Sequence, residues 1–292
     1  MNRPTFAERC FDAANALFLT LLMVVTIYPL IYVVFSSLSD ASRLMAFNGF
    51  LWRPIGFSLE AYSSVFANPM ILKGYGNTFF VVLVGLVFNI FLTALGAYAL
   101  SRKSLKYRKQ MMMFVVFTMF FSGGLIPFYL TVKGVGLANT LWALIIPQAV
   151  NTFNLILMKT SFEAIPDALE ESAKMDGAND FVILFRIILP LSMPVIAVML
   201  LYYGVSHWNA WFHALIFLQE RSMYPLQLIL REILLQGEAS TMAVGASDSD
   251  MAMLTVTLKY ATIIVATVPI LLVYPFLQKY FVKGALIGAI KG

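Results

Sequence analysis

The stretch Glu171-Ser-Ala-Lys-Met-Asp-Gly177, followed after nine residues by Ile187-Ile-Leu-Pro190, is the most informative part of this sequence. It lies in a polar segment between two very apolar ones. Pro166 suits the first turn of a helix, because its missing N–H has no partner there in any case. Gly177 can adopt the left-handed conformation that ends a helix. The pattern predicts a short helix over about 163–178, outside the membrane.

Charge placement in this short helix agrees with its predicted ends. Glu170 and Lys174 are four residues apart in the order that stabilises a helix. Asn179 or Asp180 is a plausible N-cap for the run that re-enters the membrane. From these residues alone, two interpretations are equally open: a solvated linker helix, or a surface on which a second protein docks.

The composition is that of an integral membrane protein. Of the 292 residues, 60% are hydrophobic and 12% are charged, whereas about 25% of residues are charged in a typical soluble domain. Six charge-free runs are long enough to cross a hydrocarbon core of about 30 Å. We therefore predict an all-α polytopic protein with one transmembrane domain, residues 1–292. The expected spans are 13–37, 77–100, 111–131, 138–158, 187–217 and 258–279. The expected outer loops are 40–73 and 220–257.

The lysines and arginines predict the orientation. Five of them lie within residues 102–109, in the loop between the second and third spans. Cations near an anionic leaflet are worth about 1 kcal/mol each, and loops rich in them stay in the cytoplasm. With six spans, the N-terminus, the 159–186 loop and the C-terminus fall on that same side. Both chain ends are expected inside, and the positive charge needs no nucleic-acid partner.

The motif residues resemble a known family. Glu171-x-Ala173, Gly177 and Ile187-x-Leu189-Pro190 match the EAA–G–I-LP signature of the permease subunits of bacterial ABC importers, with Ser172 in place of the first alanine. Trp208-Asn-Ala-Trp211 and the closing segment from Phe281 are similar to the carbohydrate-uptake subgroup. The segment Phe121-Ser-Gly-Gly-Leu-Ile-Pro-Phe-Tyr-Leu130 resembles the corresponding sequence of permeases for oligosaccharides of plant or algal polysaccharides.

The resemblance implies a type I importer in the bacterial inner membrane, in which this chain is not an enzyme. A second homologous permease subunit would complete the pathway, two nucleotide-binding subunits would bind ATP and Mg²⁺, and an extracytoplasmic binding protein would deliver the oligosaccharide. The chain itself holds no G-x-x-x-x-G-K-[ST] loop. The short helix would be the coupling helix. The residues expected to contact the ATPase are Glu170, Glu171, Ala173, Asp176, Gly177, Gly288 and Lys291.

A sugar pathway should present aromatic faces and hydrogen-bonding amides and hydroxyls. The candidates are polar or aromatic residues within predicted spans: Asn89, Gln148, Asn151, Tyr203, Trp208, Asn209 and Trp211. For the fifth-span residues the alternative is an aromatic belt at the outer interface. For the amides the alternative is hydrogen bonding between helices. No metal site is expected, because His207 and His213 are six residues apart and no carboxylate accompanies them.

Other functions fit the sequence less well. A stand-alone channel or ion-coupled transporter would need charged residues inside the spans, and the six runs contain none. A membrane enzyme would need His, Asp or Glu converging at one membrane level. The cargo stays open between acidic oligosaccharides of the alginate or pectin type and neutral ones of the maltose type.

Overall fold

The computed structural model describes residues 5–243, 256–273 and 275, and this part of the chain is built from helices. Its only extended pairing is an isolated antiparallel bridge between Ser39 and Phe57. The helices are α1 (Phe6–Ser37), α2 (Ala41–Ala46), α3 (Glu60–Ala67), α4 (Pro69–Ser101), α5 (Arg108–Phe120), α6 (Leu125–Gly134), α7 (Thr152–Glu163), α8 (Asp167–Met175), α9 (Asp180–Ile183), α10 (Leu189–Leu191), α11 (Met193–Trp208), α12 (Phe212–Phe217), α13 (Leu226–Ala243) and α14 (Val256–Val273).

Three helices, α1, α4 and α14, are each long and apolar enough to cross a membrane. Three further pairs of helical segments pass the same test only when each pair is taken together, and each pair is bent. The pairs are 108–120 with 125–134, bent by 116°, 141–148 with 152–163, bent by 49°, and 180–191 with 193–208, bent by 86°. By length and composition, the described residues thus hold up to six spans.

The first bend lies where the sequence offers no regular helix. Phe121 is extended, and Gly124 has a φ of +85°, a left-handed conformation that side chains disfavour. α6 then starts at Leu125 with Gly124 as its N-cap residue. The predicted third span, 111–131, is therefore two helices at a steep angle instead of one straight helix.

Proline and asparagine set the second bend. Two short 3₁₀ turns cover 141–144 and 146–148, and the second contains Pro147. Asn151 then starts α7, because its side chain accepts a hydrogen bond from the backbone N–H of Asn154 at 3.1 Å.

The third bend lies between two prolines. A π-helical turn at Leu184–Ile188 precedes Pro190, which has no N–H to continue the helical hydrogen bonds. Ser192 follows, and Pro194 sits in the first turn of α11. The predicted fifth span, 187–217, is divided here and again before α12.

Several bounds differ from the predicted ones. α1 begins at Phe6 instead of residue 13, because Thr5 and Glu8 form a reciprocal capping box. α4 begins at Pro69, eight residues before the predicted start, since proline is well suited to a first turn. α14 ends its described part at Val273, so the rest of the predicted sixth span lies largely outside the described residues.

Contacts group the described residues into two compact units. The first comes from residues 5–69, 232–243 and 256–267, and the second from 70–231, 268–273 and 275. In the first unit, the hydroxyl of Tyr28 in α1 accepts a hydrogen bond from the N–H of Leu51 at 3.1 Å, and its ring contacts Phe50 and Trp52. This anchors the segment after α2 against α1.

The second unit contains the candidate sites. Its main core lies where the end of α4 meets α7, α8 and the π-helical turn, and it includes Tyr98, Phe162, Ala173, Ile183 and Leu184. The polar segment that carries the sequence motif therefore packs on buried apolar side chains of its own chain.

Candidate functional site

The motif segment folds as a short helix with a defined end on each side. Pro166 is extended, and α8 runs over Asp167–Met175. After it, Gly177 has a φ of +80°, its N–H donates to the carbonyl of Lys174 at 3.0 Å, and the N–H of Ala178 donates to that of Ala173 at 2.9 Å. This pair of bonds is the Schellman stop.

The sequence prediction of a glycine stop is confirmed, and so is the cap that follows it. The side chain of Asn179 accepts from the N–H of Val182 at 2.9 Å and starts α9. α8 is shorter than the predicted 163–178, because Glu163 still belongs to α7 and the extended Pro166 separates the two helices.

The two faces of α8 differ. Glu170 and Ala173 are buried against the chain's own core. The opposite face is exposed and follows the helical spacing i, i+3, i+4, i+7, with Ala168, Glu171, Ser172 and Met175. We call these four residues the outer face of α8. Met175 is 89% exposed and places a large apolar side chain on this outer face.

Glu170 is held by two cations. Lys174 donates to its Oε1 at 2.7 Å, which confirms the predicted pair, and Arg102 donates to its Oε2. Burial raises the pKa of Glu170, but the hydrogen bonds from Lys174 and Arg102 outweigh it, and the net pKa lies below the usual range. The carboxylate is therefore ionised at neutral pH.

Arg102 itself contacts three helices. Its Nη2 donates to the carbonyl of Phe162 in α7 at 3.2 Å, its Nε to Oγ of Ser101 at 3.0 Å, and its guanidinium lies 4.9 Å from the centre of the Tyr98 ring. Arginine suits such a position because its planar donors can serve several acceptors at once. The sequence indicated Arg102 only as a positive-inside residue.

Two more cations of the same basic loop meet carboxylates. Lys103 pairs with Asp167 at 2.6 Å, and Arg108 pairs with Glu163 at 3.2 Å. The Lys103–Asp167 pair is exposed on both sides, 78% and 55%, and such pairs contribute little to stability.

The predicted docking residues therefore do not lie on one surface. Glu171, Asp176 and Gly177 are exposed, whereas Glu170 and Ala173 face the core. Gly288 and Lys291 lie outside the described residues.

A second polar cluster surrounds the break before α7. The side-chain N–H groups of Asn89 in α4 donate to the carbonyls of Gln148 and Ala149 at 2.8 and 2.9 Å. These carbonyls lie in the 3₁₀ turn at 146–148 and just after it. Asn89 is fully buried, and its role in the structure is a hydrogen bond between helices.

Tyr203 joins the same break from α11. Its hydroxyl lies 2.8 Å from Oγ1 of Thr93 and accepts from the backbone N–H of Asn151 at 2.9 Å. It thereby connects α4, α7 and α11.

A cavity of about 710 Å³ opens beside this cluster. Three of the predicted pathway residues line it, namely Gln148, Asn151 and Tyr203. Tyr202, another aromatic residue of the fifth span, also lines it. Phe153 and Ser206 line it as well and were not predicted, because sequence spacing on either helix does not show which face turns to the cavity. Its lining, within the described residues, includes no Lys, Arg, Asp or Glu.

The other fifth-span candidates lie elsewhere. Trp208 is 6% exposed and packs against Tyr75 and Phe79, with ring centroids 6.4 and 5.9 Å away. The ring of Trp211 lies 3.5 Å from the guanidinium of Arg231. Asn209 is exposed and donates to the carbonyl of Val205 at 3.0 Å, at the end of its own helix.

Comparison with known proteins identifies the chain. Residues 92–286 match the family model described as "Binding-protein-dependent transport system inner membrane component". The chain belongs to this family. It is an inner-membrane permease subunit of an ABC importer, and ATP is hydrolysed by partner subunits. Membership excludes the stand-alone channel and the membrane enzyme.

Relatives support this over the whole chain. The permease is 43% identical over 290 residues to the polygalacturonan/rhamnogalacturonan transport system permease protein YtcP of Bacillus subtilis (strain 168), covering 98% of this chain and 99% of that one. It is 29% identical to the maltodextrin transport system permease protein MdxG of the same organism, covering the full length of both.

A solved structure shows the same fold. The permease matches a chain of a bacterial ABC transporter involved in the import of the acidic polysaccharide alginate, with a TM-score of 0.87 and 31% identity, covering 96% of this chain and 100% of that chain. The predicted type I importer fold is confirmed, and the permease works with a second permease subunit, ATPase subunits and a binding protein.

Proposed function

We propose that α8 is the coupling helix of this permease and that its outer face docks on a partner ATPase subunit, which binds ATP and Mg²⁺. The observation that carries this proposal is the exposed outer face of a helix whose other face is buried. Met175 offers an apolar contact, and Glu171 offers a carboxylate that forms no ion pair with another described residue. A surface of this kind fits a cleft lined by apolar and basic side chains.

The docking proposal can be tested by cross-linking. Cys10 is the only cysteine, so Cys10→Ser gives a cysteine-free background for Met175→Cys on the outer face. We expect Met175→Cys to cross-link to the ATPase in the assembled importer. Ser104→Cys, exposed on the neighbouring loop, is the matched control. Equal cross-linking from both positions would contradict docking through the outer face.

We also propose that the 710 Å³ cavity is this subunit's part of the sugar pathway. Amide groups of Gln148 and Asn151 and rings of Tyr202 and Phe153 line it, and sugars bind through such groups. Tyr202→Ala removes a lining ring that is 41% exposed. We expect it to lower oligosaccharide uptake while the importer assembles normally. Uptake equal to wild type would remove the cavity from the pathway.

The cargo that we propose is an acidic oligosaccharide of the pectin or alginate type. The proposal rests on the relatives, since the 43% identical permease is named for polygalacturonan and rhamnogalacturonan and the matching structure for alginate. The uncharged cavity lining and the maltodextrin relative favour a neutral oligosaccharide as the second candidate.

A panel of oligosaccharides decides between them. The assembled importer with its binding protein is offered oligogalacturonates, oligoalginates and maltodextrins, and ATP hydrolysis and uptake are measured. We expect stimulation by the uronates. Stimulation by maltodextrins alone would establish the neutral cargo.

A further inference from the structure

The chain connects α8 directly to only two neighbours. Pro166 joins it to α7, and Gly177 joins it to α9 and the segment that leads into α11. The chain does not join α8 directly to α4, so a force on the outer face of α8 can reach α4 only through contacts between side chains or backbone groups of the two helices.

The side chains of Arg102, Glu170 and the half-exposed Lys174 provide such a contact, and we call these three residues the bracket. The Arg102 and Glu170 side chains are each only 12% exposed. Arg102 directly follows Ser101, the last residue of α4, and its guanidinium lies against the ring of Tyr98 in that helix. A buried pair of this kind is costly to break, because the partner left behind is an unpaired charge in an apolar site.

Further bonds extend the bracket to the neighbouring helices. The hydroxyl of Tyr98 in α4 donates to Oδ1 of Asp180 in α9 at 3.3 Å, and Lys174 lies 3.6 Å from the same oxygen. Arg108, the first residue of α5, donates to the carbonyl of Ser101 at 3.2 Å. Arg102, directly after α4, is thus bonded to Glu170 in α8, 68 positions away in sequence, and Arg108 at the start of α5 is bonded to the end of α4.

We propose that the bracket makes α8 and the cytoplasmic end of α4 one rigid body, so that Arg102 and Glu170 are positioning residues for energy coupling. Movement of α8 would then be passed to α4 as well as to α7 and α11. This inference rests on the proposed docking of α8, and it assigns to Arg102 of the basic loop a mechanical role in addition to orientation.

Distance measurements test rigidity without altering the bracket. Spin labels at Ser104 and Leu169, both exposed, are introduced in the Cys10→Ser background and measured by double electron–electron resonance in the complete importer. We expect the same distance distribution in the resting and the ATP-trapped states. A clear shift between these states in the otherwise unchanged protein would overturn the proposal.

Variants test the role in coupling. Arg102→Gln and Glu170→Gln should each raise the number of ATP molecules hydrolysed per oligosaccharide imported by about tenfold, and make the Ser104–Leu169 distance depend on nucleotide. Lys103→Gln, which removes only the exposed pair with Asp167, should stay within about twofold of wild type. Wild-type coupling in assembled Arg102→Gln and Glu170→Gln importers would overturn the proposal.

The two proposals fail in different ways. If Met175→Cys does not cross-link to the ATPase, docking of α8 is wrong regardless of the spin-label distances. If it does cross-link but the distance between Ser104 and Leu169 changes during the ATP cycle, docking holds and the rigid bracket is wrong.

Discussion

Oδ1 of Asn89 in α4 lies 2.7 Å from Nε2 of His207 in α11. The amide N–H groups of Asn89 already donate to the carbonyls of Gln148 and Ala149, so its oxygen is the acceptor and Nε2 of His207 carries the proton. The side chain of Asn89 therefore hydrogen-bonds two backbone carbonyls at the break before α7, and it also fixes the tautomer of His207 in another span.

Replacing Asn89 by leucine should destabilise the permease. Leucine keeps the branched shape of asparagine but leaves two backbone carbonyls and His207 without this partner, and each buried unpaired group costs about 1–3 kcal/mol. Thermal unfolding of the detergent-solubilised importer measures the loss. Asn209→Leu is the control, because Asn209 is exposed and bonds only within its own helix. Equal unfolding temperatures for the two variants would contradict this assignment.

Two glycines of α4 should respond differently to alanine. A Cβ on Gly85 would lie 2.7 Å from Nε2 of His207, whereas a Cβ on Gly76 has no neighbour within 4 Å. We expect Gly85→Ala to lower the unfolding temperature, because α11 must move away. Gly76→Ala should be neutral, or stabilising by up to about 1 kcal/mol through helix propensity. A stable Gly85→Ala variant would show that α4 and α11 are not in close contact there.

Local spacing in the sequence was enough to predict where α8 stops and where α9 starts, but not where α8 begins. Gly177 as a stop, Asn179 as a cap and the Glu170–Lys174 pair all depend on residues within one helical turn of each other. The partner of Glu170 across the fold could not be predicted, since nothing in the sequence links it to Arg102, 68 positions away. The same limit explains why the cations of the basic loop were assigned only to orientation.

In the membrane spans, too, the sequence predicted the local features but not those that depend on contacts between distant residues. Charge-free runs in the sequence located the apolar segments. The bend angles, however, depend on tertiary contacts such as those of Asn89 and Tyr203 at the break before α7. Trp208 was predicted from composition to face the pathway, and its burial against Tyr75 and Phe79 depends on the rotation of α11, which the sequence does not give.

Stability should depend on pH through Glu170. Burial alone would raise the pKa of Glu170, but the hydrogen bonds from Lys174 and Arg102 lower it by more, so the net pKa in the folded state is below the ordinary value. The folded state therefore binds the proton less tightly than the unfolded state. The stabilisation that the ionised Glu170 gives to the folded state is therefore complete when the pH lies above the ordinary glutamate pKa. It is lost as the pH falls through the lowered pKa of Glu170 in the folded state. We expect the difference in unfolding temperature between wild type and Glu170→Gln to be constant from pH 8 to 6 and to shrink in acid, below about pH 4.

A matched control separates this effect from general acid sensitivity. Glu171→Gln removes a carboxylate from the outer face of α8, where it forms no ion pair with another described residue. Its unfolding temperature should match that of wild type at each pH. A difference between wild type and Glu170→Gln that stays the same at all pH values would argue against an ionised, paired Glu170.

Trp208 should affect stability more than transport. Truncating a buried aromatic residue to alanine typically costs about 3–5 kcal/mol, and Trp208 is 6% exposed. We expect Trp208→Ala to assemble poorly, whereas Trp208→Phe, which preserves contacts with Tyr75 and Phe79, should assemble and transport nearly as wild type. A Trp208→Phe importer that assembles normally but binds or imports sugar weakly would restore this residue to the pathway.

Gly177 offers a graded test of backbone strain. Its φ is +80°, a backbone conformation that residues other than glycine, asparagine and aspartate rarely adopt. A Cβ at this position would meet no atom of this chain within 4 Å. Backbone strain is therefore the main effect that a substitution has within the permease itself. We expect transport to decrease in the order Gly177→Asn, Gly177→Ala, Gly177→Val, with a backbone cost of about 1–2 kcal/mol for the larger changes. Assembly of the permease pair should remain intact, because the core under α8 is untouched. Gly177→Asp adopts this backbone conformation about as readily as Gly177→Asn, but it adds a negative charge next to the outer face of α8, so it should abolish transport with assembly preserved. If ATP hydrolysis stayed coupled to uptake in Gly177→Asp and Gly177→Val, the turn after α8 would have no part in docking.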